Sequence, residues 1–281
     1  MSTGYVLYNS KAGMGNTLEN MKILEVVMNM DLTIIDILNI TNYHTFLGGL
    51  SEDDFIILAG GDGTLNRFVN DTEGIAFENE ILYYPNGTGN DFSHDLEHIK
   101  ECAPFFITEY LKNLPQVIVK GKKYRFINGV GFGIDGYCCE VGDELKKIPG
   151  KKINYTSIAI KGLLFHYKPV NAKVTVDDDV YLFEKVWVAP TMKGRFYGGG
   201  MMPTPNRDRK SEKLSTMIFY GSGKFKTLMI FPSLFKGEHM KHMKHICILE
   251  GKNITVEFDR PTSLQIDGET ILGVTSYTAI S

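Results

Sequence analysis

The first 95 residues repeat one unit: a short apolar run, a loop rich in glycine and asparagine, then helical spacing. No other feature constrains the fold as much. Tyr5–Tyr8 runs into Asn9-Ser-Lys-Ala-Gly-Met-Gly15, and Leu18, Met21, Leu24, Val27 and Met28 then recur at helix spacing as far as Met30. A second run spans Leu32–Ile40 and ends at Thr41. A third, Asp54–Ala59, is followed at once by Gly60-Gly-Asp-Gly-Thr64, and Leu65–Asn70 opens another helix. A fourth, Ile81–Tyr84, leads into Pro85-Asn-Gly-Thr-Gly-Asn-Asp91. Apolar runs alternating with helices predict a parallel sheet covered on both faces, a three-layer α/β domain. In such sheets ligands bind in the loops at the carboxyl ends of the strands.

From about Gln116 the pattern changes. Short β-branched or aromatic runs follow one another at Gln116–Val119, Tyr124–Ile127, Ala172–Val176, Lys185–Ala189, Leu214–Tyr220, Ile246–Leu249, Ile254–Phe258 and Ser263–Ile266. Turn clusters such as Asp177-Asp-Asp179 and Asp267-Gly268 separate them, which predicts an antiparallel, β-sandwich-like second domain. One helical interlude is expected at Asn154–His166. The boundary falls within 113–121, giving domains at 1–115 and 116–281.

Composition narrows the function classes. With 43% hydrophobic residues in 281 and a net charge of −3, the chain can build a core and is no polycation for duplex nucleic acid. Cys102, Cys138, Cys139 and Cys247 form no C-x-x-C pair, which points to a reducing compartment. Met1–Tyr8 lacks the layout of a signal peptide, and no stretch of eighteen apolar residues exists. A cytoplasmic protein is expected.

Three loops carry the chemistry. Glycines directly after a buried strand let backbone N–H groups approach phosphate oxygens, and a following helix adds its dipole. Gly60-Gly-Asp-Gly-Thr64 fits that use. Asp62 would repel bare phosphate, so it makes sense beside a cation or a proton-bearing nucleophile; its bland reading is an N-cap in a tight turn. Asn86-Gly-Thr-Gly-Asn-Asp91 and Asn9-Ser-Lys-Ala-Gly13 are loops of the same kind, carrying Thr88 and Lys11. Together they favour a nucleotide phosphate site over three unrelated turns.

The series of motifs resembles the diacylglycerol kinase catalytic family, and within it the soluble bacterial lipid kinases of the YegS type. The residues that carry the resemblance are Asn9–Gly13, Gly60-Gly-Asp-Gly-Thr-Leu-Asn66, Asn86-Gly-Thr-Gly-Asn-Asp-Phe92 and Asn128-Gly-Val-Gly-Phe-Gly-Ile-Asp135. Tyr197-Gly-Gly-Gly-Met201, Gly237-Glu-His239 and Asp267-Gly-Glu269 complete it. The resemblance implies ATP- and Mg²⁺-dependent phosphorylation of a lipid hydroxyl in an interdomain cleft, by a protein peripheral to the membrane. It puts Asn9, Lys11, Gly13, Thr41, Gly60, Gly61, Asp62, Gly63, Thr64, Leu65, Asn66, Thr88 and Asn90 on the nucleotide. It also makes Asp267 the general base, with Asp62 its rival and Glu269 near nucleotide or metal. The residue reading alone takes Asp267-Gly268 as a hairpin turn.

The chain departs from the family pattern in one loop. Where the family has Asp-Gly-x-Leu, whose aspartate helps hold a structural Mg²⁺, this chain reads Ser211-Glu-Lys-Leu214. A hard cation wants anionic oxygens. The site, with Asp208, Ser211 and Lys213, is therefore weakened, absent, or rebuilt from Asp208 or Glu212. Arg67 stands where Glu is common.

Other motifs are decoys or have plainer readings. Gly131-Phe-Gly-Ile-Asp-Gly136 matches a dinucleotide fingerprint but lies in the β-rich half, with no βαβ unit expected after it. Gly223-Lys224 lacks the rest of a P-loop. His239, His242 and His245 read as a basic surface, and with Phe231, Leu234 and Phe235 as a face for anionic headgroups. Met192, Met201 and Met202 fit either a lipid pocket or core filler, and Trp187 fits the core. Two other functions stay open: an NAD kinase, which shares Gly-Gly-Asp-Gly, and a binding homologue without turnover, supported by Ser211. The β-sheets could pair in a homodimer.

Overall fold

The protein is described by a computed structural model, for residues 2–11, 18–87, 89–98, 103–148 and 153–281. It divides into two compact units, Met1–Leu114 and Pro115–Ser281.

The first unit holds β1 (Gly4–Tyr8), β2 (Leu32–Asp36), β3 (Phe55–Gly60), β4 (Glu80–Pro85) and β5 (Phe105–Phe106), in the order β2-β1-β3-β4-β5. The first four are parallel and β5 is an antiparallel edge. Val6, Ile57, Ala59 and Leu82 pack against Met21 and Leu24. Strand alternation sends Leu7, Ile56 and Leu58 to the opposite face, and these are buried too, so both faces are covered. The Asp62–Asp71 helix follows β3, burying Leu65, Phe68 and Val69 at the spacing of one helical stripe. β2 is shorter than its apolar pattern. Asp36 accepts the Leu38 N–H at 3.1 Å and turns the chain into a short 3₁₀ helix at Ile37–Asn39.

The second unit is built on β6 (Gln116–Val119), β7 (Lys122–Arg125), β8 (Gly129–Phe132), β9 (Val170–Val176) and β10 (Asp179–Val186). Its other strands are β11 (Thr191–Met192), β12 (Leu214–Phe219), β13 (Ile246–Gly251), β14 (Asn253–Ile266) and β15 (Glu269–Ile280). The path runs β13-β12-β11-β8-β14-β15-β6-β7, with β9 joining β14 to β10. Every pairing is antiparallel. One core gathers Phe132 and Phe258, stacked with centroids 3.9 Å apart, with Val174, Ile218 and Leu264. A second gathers Leu163, Trp187, Met192, Met217 and Leu234 beneath the helices.

The strand expected at Lys185–Ala189 overlaps only the end of β10, which begins at Asp179 and stops at Val186, and three further features differ from the sequence pattern. The runs at 254–258 and 263–266 are one strand, whose register against β15 shifts between Glu257 and Leu264, around Pro261, which has no N–H to give. β15 was unmarked because only Val274, Tyr277 and Ala279 are buried in it, among Thr, Ser and Gly. The thirteen-residue Ile134–Lys146 helix was also unmarked, since Gly136, Cys138, Cys139 and Gly142 dilute its apolar stripe.

Candidate active site

The carboxyl edge of the parallel sheet gathers the predicted loops. From β1 the chain crosses to β2 on one side, while β3 and β4 lie on the other, so the strand order reverses between β1 and β3. A crevice opens at such a switch point. Asn9 and Lys11 follow β1 there, Gly61–Thr64 follow β3, and Asn86–Asn90 follow β4. Asn9 Oδ1 accepts the Lys11 N–H at 3.0 Å, which shapes the first loop. Thr41 lies exposed beyond β2. Gly13 and Thr88 lie outside the described residues.

The second and third loops touch backbone to backbone. A Cβ on Gly87 would strike the Gly61 Cα, and one on Gly61 would come within 3.0 Å of the Gly87 Cα. Gly87 therefore requires glycine, and a side chain at Gly61 fits only if the loops separate by a few tenths of an ångström. Asp62, the first residue of its helix, ties the loops together: its two carboxylate oxygens accept the Asp91 and Phe92 N–H groups, each at 2.9 Å. Those donors open the Asp91–Asp95 helix, whose exposed N–H groups need an acceptor. The Tyr83 hydroxyl donates to the Gly60 carbonyl at 3.0 Å from below. Asn90 closes its own loop, accepting from Gly87 N at 3.0 Å and donating to Gly87 O at 2.9 Å.

Several of the expected contact residues are buried. The Leu65 side chain is fully buried, so only its backbone can face a ligand. The Thr64 hydroxyl is buried without a hydrogen-bond partner, against Gly60. Asn66 is buried and accepts from Asn70. Gly63 is exposed, and a Cβ there would meet nothing within 4 Å.

In the second unit, Asp267 and Gly268 form the β14–β15 turn, both with positive φ (46° and 99°), the I′ pattern. The turn also aims the Asp267 carboxylate into three consecutive backbone donors. Its Oδ2 accepts from Ile127 N at 2.6 Å, and its Oδ1 from Asn128 N and Gly129 N at 2.9 Å each. Arg209 braces the far side of that segment, donating to the Ile127 carbonyl and to Asn128 Oδ1 at 2.7 Å each. Arg209 was missed by sequence reasoning, because Asn206-Arg-Asp-Arg-Lys-Ser211 matches no motif. Glu269 is exposed at the start of β15.

Gly131–Gly136 does open a helix after a strand, contrary to expectation. Its strand, β8, is flanked by antiparallel partners, so no βαβ unit exists. The glycines are there for packing: a Cβ on Gly136 would overlap the Ser263 carbonyl, and one on Gly131 the Asp135 carboxylate. Asp135 is buried and accepts from the Tyr197 hydroxyl at 3.1 Å, while its Oδ1 has no hydrogen-bond partner. Burial pushes its carboxyl up to about 6, against the Gly136 N–H and the Tyr197 and Gln265 hydrogen bonds that favour the charged form.

The loop expected to hold a structural cation does not suit one. The Ser211 carbonyl accepts from Lys193 Nζ at 3.1 Å and Arg207 Nη2 at 3.4 Å. The Ser211 hydroxyl accepts the Lys213 N–H, Asp208 accepts the Lys210 N–H, and Glu212 pairs with Lys252 at 2.8 Å. Burial, then Arg207 and Arg209, push the Lys193 ammonium down, so positive charge is already crowded there. A magnesium ion is held through one or two carboxylates with water completing its shell; here Asp208 accepts a backbone N–H and Glu212 is paired with Lys252, and among the described residues no group of three His, Cys, Asp or Glu side chains converges.

The histidine cluster is only partly a surface, with Lys236, Lys241 and Lys244 exposed and His242 half-buried. His239 is fully buried with Nε2 2.9 Å from the Pro203 carbonyl, and His245 Nδ1 lies 3.1 Å from the Tyr220 carbonyl. Phe231 and Leu234 belong to the core, so of the expected headgroup face Phe235 and the lysines are what stands exposed. Met192 and Met201 are core as well. An open cleft of about 560 Å³ in this unit is lined by Tyr137, Glu140, His166, Tyr167, Arg260 and Ser263, among others.

Comparison with known proteins decides the family. Residues 3–118 match the diacylglycerol kinase catalytic domain, and residues 128–279 match the YegS C-terminal NAD kinase beta sandwich-like domain. The chain belongs to the YegS family, with a diacylglycerol kinase catalytic domain in its first unit. A protein described as the lipid kinase YtlR of Bacillus subtilis (strain 168) is 25% identical over 240 residues, 79% of this chain and 75% of the relative. A lipid kinase so described from Staphylococcus aureus (strain JH9) is 28% identical over 227 residues, 77% of this chain and 70% of the relative. A crystal structure described as a diacylglycerol kinase of Bacillus anthracis strain Sterne superposes with a TM-score of 0.68, at 20% identity over 99% of this chain and 93% of that one. The fold of this kinase is accordingly that of its family.

Proposed function

We propose that this kinase transfers the γ-phosphoryl group of ATP, taken up as Mg·ATP, to a lipid hydroxyl. The observation that carries the reading is the pair of glycine loops locked together by Asp62 at the β1/β3 switch point. Phosphoryl transfer needs little covalent chemistry from a protein; it needs phosphates held in place and charge offset. Lys11 and the backbone N–H groups of the Gly61–Gly63 turn supply those donors. Asp62 acts as a positioning residue, since both its oxygens already hold the third loop.

Asp267 is the proposed general base. The acceptor hydroxyl oxygen attacks the γ-phosphorus, the bond to the β–γ bridging oxygen breaks, ADP leaves, and the hydroxyl proton passes to the Asp267 carboxylate. The three backbone donors on Asp267 fix the direction of the carboxylate that would take up that proton. The names of the relatives support a lipid acceptor.

The test is transfer of radiolabel from ATP, with Mg²⁺, to a panel of lipids in mixed micelles, with NAD as a further acceptor. Label in a lipid is expected. Label in NAD alone, or none anywhere from protein that still binds ATP, would overturn the reading.

A further inference from the structure

Arginine is seldom buried unless its guanidinium has partners to hold. The loop at 206–211 buries two: Arg207 is 6% exposed and Arg209 8%. Arg207 anchors the loop. Its Nε donates to the Lys193 carbonyl at 3.3 Å and its Nη2 to the Ser211 carbonyl at 3.4 Å. Lys193 returns the contact, from Nζ to the Ser211 carbonyl at 3.1 Å. A loop fixed in this way sets Arg209 against the buried segment at 127–129.

That segment has two sides. Its three N–H groups all go to the Asp267 carboxylate. Its carbonyls go elsewhere: Ile127 O accepts from Arg209 Nη1 at 2.7 Å, and Asn128 O accepts from the Lys193 and Gly194 N–H groups at 2.8 and 3.2 Å. Arg209 also grips the Asn128 side chain, from Nη2 to Oδ1 at 2.7 Å. One peptide group therefore lies between two charges. The amide that joins Ile127 to Asn128 has the guanidinium on its oxygen and the Asp267 carboxylate on its nitrogen. A cation on the oxygen polarises the amide and makes its N–H a stronger donor. The planar fork, set on two acceptors at once, also fixes how that amide is turned.

We propose that Arg209 is a positioning residue for phosphoryl transfer, holding through this amide the N–H groups that aim the Asp267 carboxylate. The inference rests on Asp267 as the general base and adds what keeps that base pointed. It gives Arg209 no part in holding nucleotide, so its loss belongs in kcat and not in ATP affinity.

The experiment is steady-state turnover of the full chain with Mg²⁺ and ATP, on diacylglycerol, ceramide and phosphatidylglycerol in mixed micelles. The variants are Arg209→Gln, Arg209→Lys, Asp267→Asn and the Arg209→Gln/Asp267→Asn pair. Arg209→Gln should lower kcat about tenfold to a hundredfold, with the KM for ATP within about twofold. Arg209→Lys keeps a charge without the fork and should lose less. On top of Asp267→Asn, Arg209→Gln should cost less than about twofold, because the group it aims is gone. Trp187 emission checks that the β-rich unit of each variant is folded; if Arg209→Gln does not fold, Arg209→Lys carries the same comparison. An unchanged kcat in Arg209→Gln, a loss confined to the KM for ATP, or the full loss repeated on top of Asp267→Asn would overturn the role. A slow Asp267→Asn beside a normal Arg209→Gln removes Arg209 alone. A normal Asp267→Asn removes the base and this role with it, and no turnover by the unaltered chain on any acceptor removes the reaction.

Discussion

Asp135 is the residue with the sharpest consequence. A carboxyl buried at Tyr197 with its pKa raised to about 6 is neutral in the folded chain over a range where the unfolded chain is ionised. Its contribution to stability is fully present below about pH 4 and is lost as pH rises through about 6, an effect of up to about 3 kcal/mol. Asp135→Asn keeps the shape and removes the titration. It should raise the melting temperature at pH 8 and leave it unchanged or lower at pH 4; an equal shift at both would show that titration is not the cause. His239 acts in the opposite sense. Burial holds its imidazole below the usual value, so its contribution is present above about pH 6.5 and lost as pH falls. Asp267→Asn is expected to cut turnover by two or more orders of magnitude while ATP affinity, measured calorimetrically, stays within about twofold. Near-normal turnover would remove Asp267 as the base. The motifs pointed to Asp62 and Asp267, since spacing after a strand or at a turn is visible in one dimension. The carboxylate clamp of Asp62 and the brace from Arg209 were not, because each joins segments far apart in sequence.

At the scale of elements, two glycines separate packing from binding. Gly87→Ala would drive a Cβ into the Gly61 backbone, and overpacking of that kind costs about 1–3 kcal/mol. Gly63→Ala meets open space within a helix, so it should leave the melting temperature level or raised. If phosphate approaches the Gly61–Gly63 turn, Gly63→Ala still weakens ATP binding; unchanged affinity would put the nucleotide elsewhere. The Ser211 loop gives a second prediction at this scale. With Lys193 and Arg207 on the Ser211 carbonyl, EDTA and millimolar Mg²⁺ should leave the melting temperature of the ATP-free protein within about 1 °C. A rise of several degrees with Mg²⁺ would show a cation site that these side chains do not exclude. Elements with continuous or alternating apolar pattern, β1, β3, β4 and β12, were legible in the sequence. The Ile134–Lys146 helix and β15 were not, because packing against the sheet, rather than their own periodicity, holds them.

The whole molecule consists of two units of different kinds, one with its core against a parallel sheet and one with its cores on an antiparallel sheet. Chains built this way need not unfold in one step. The protein carries its own reporter for the second unit: Trp187, the single tryptophan, is 1% exposed and donates from Nε1 to the Ser222 carbonyl at 3.0 Å. Its fluorescence therefore follows the β-rich unit, whereas far-ultraviolet circular dichroism follows both. Two transitions are expected by dichroism, with the Trp187 signal changing in only one. A ligand that binds the native form raises its midpoint by mass action, by about 2.7 kcal/mol at a hundredfold excess over the dissociation constant. Mg·ATP should then raise the transition that Trp187 does not report, because its phosphate donors lie on the first unit. If ATP moves neither transition, the glycine loops are turns and no more. If it moves the Trp187 transition alone, nucleotide binds the β-rich unit and the assignment of the loops is reversed.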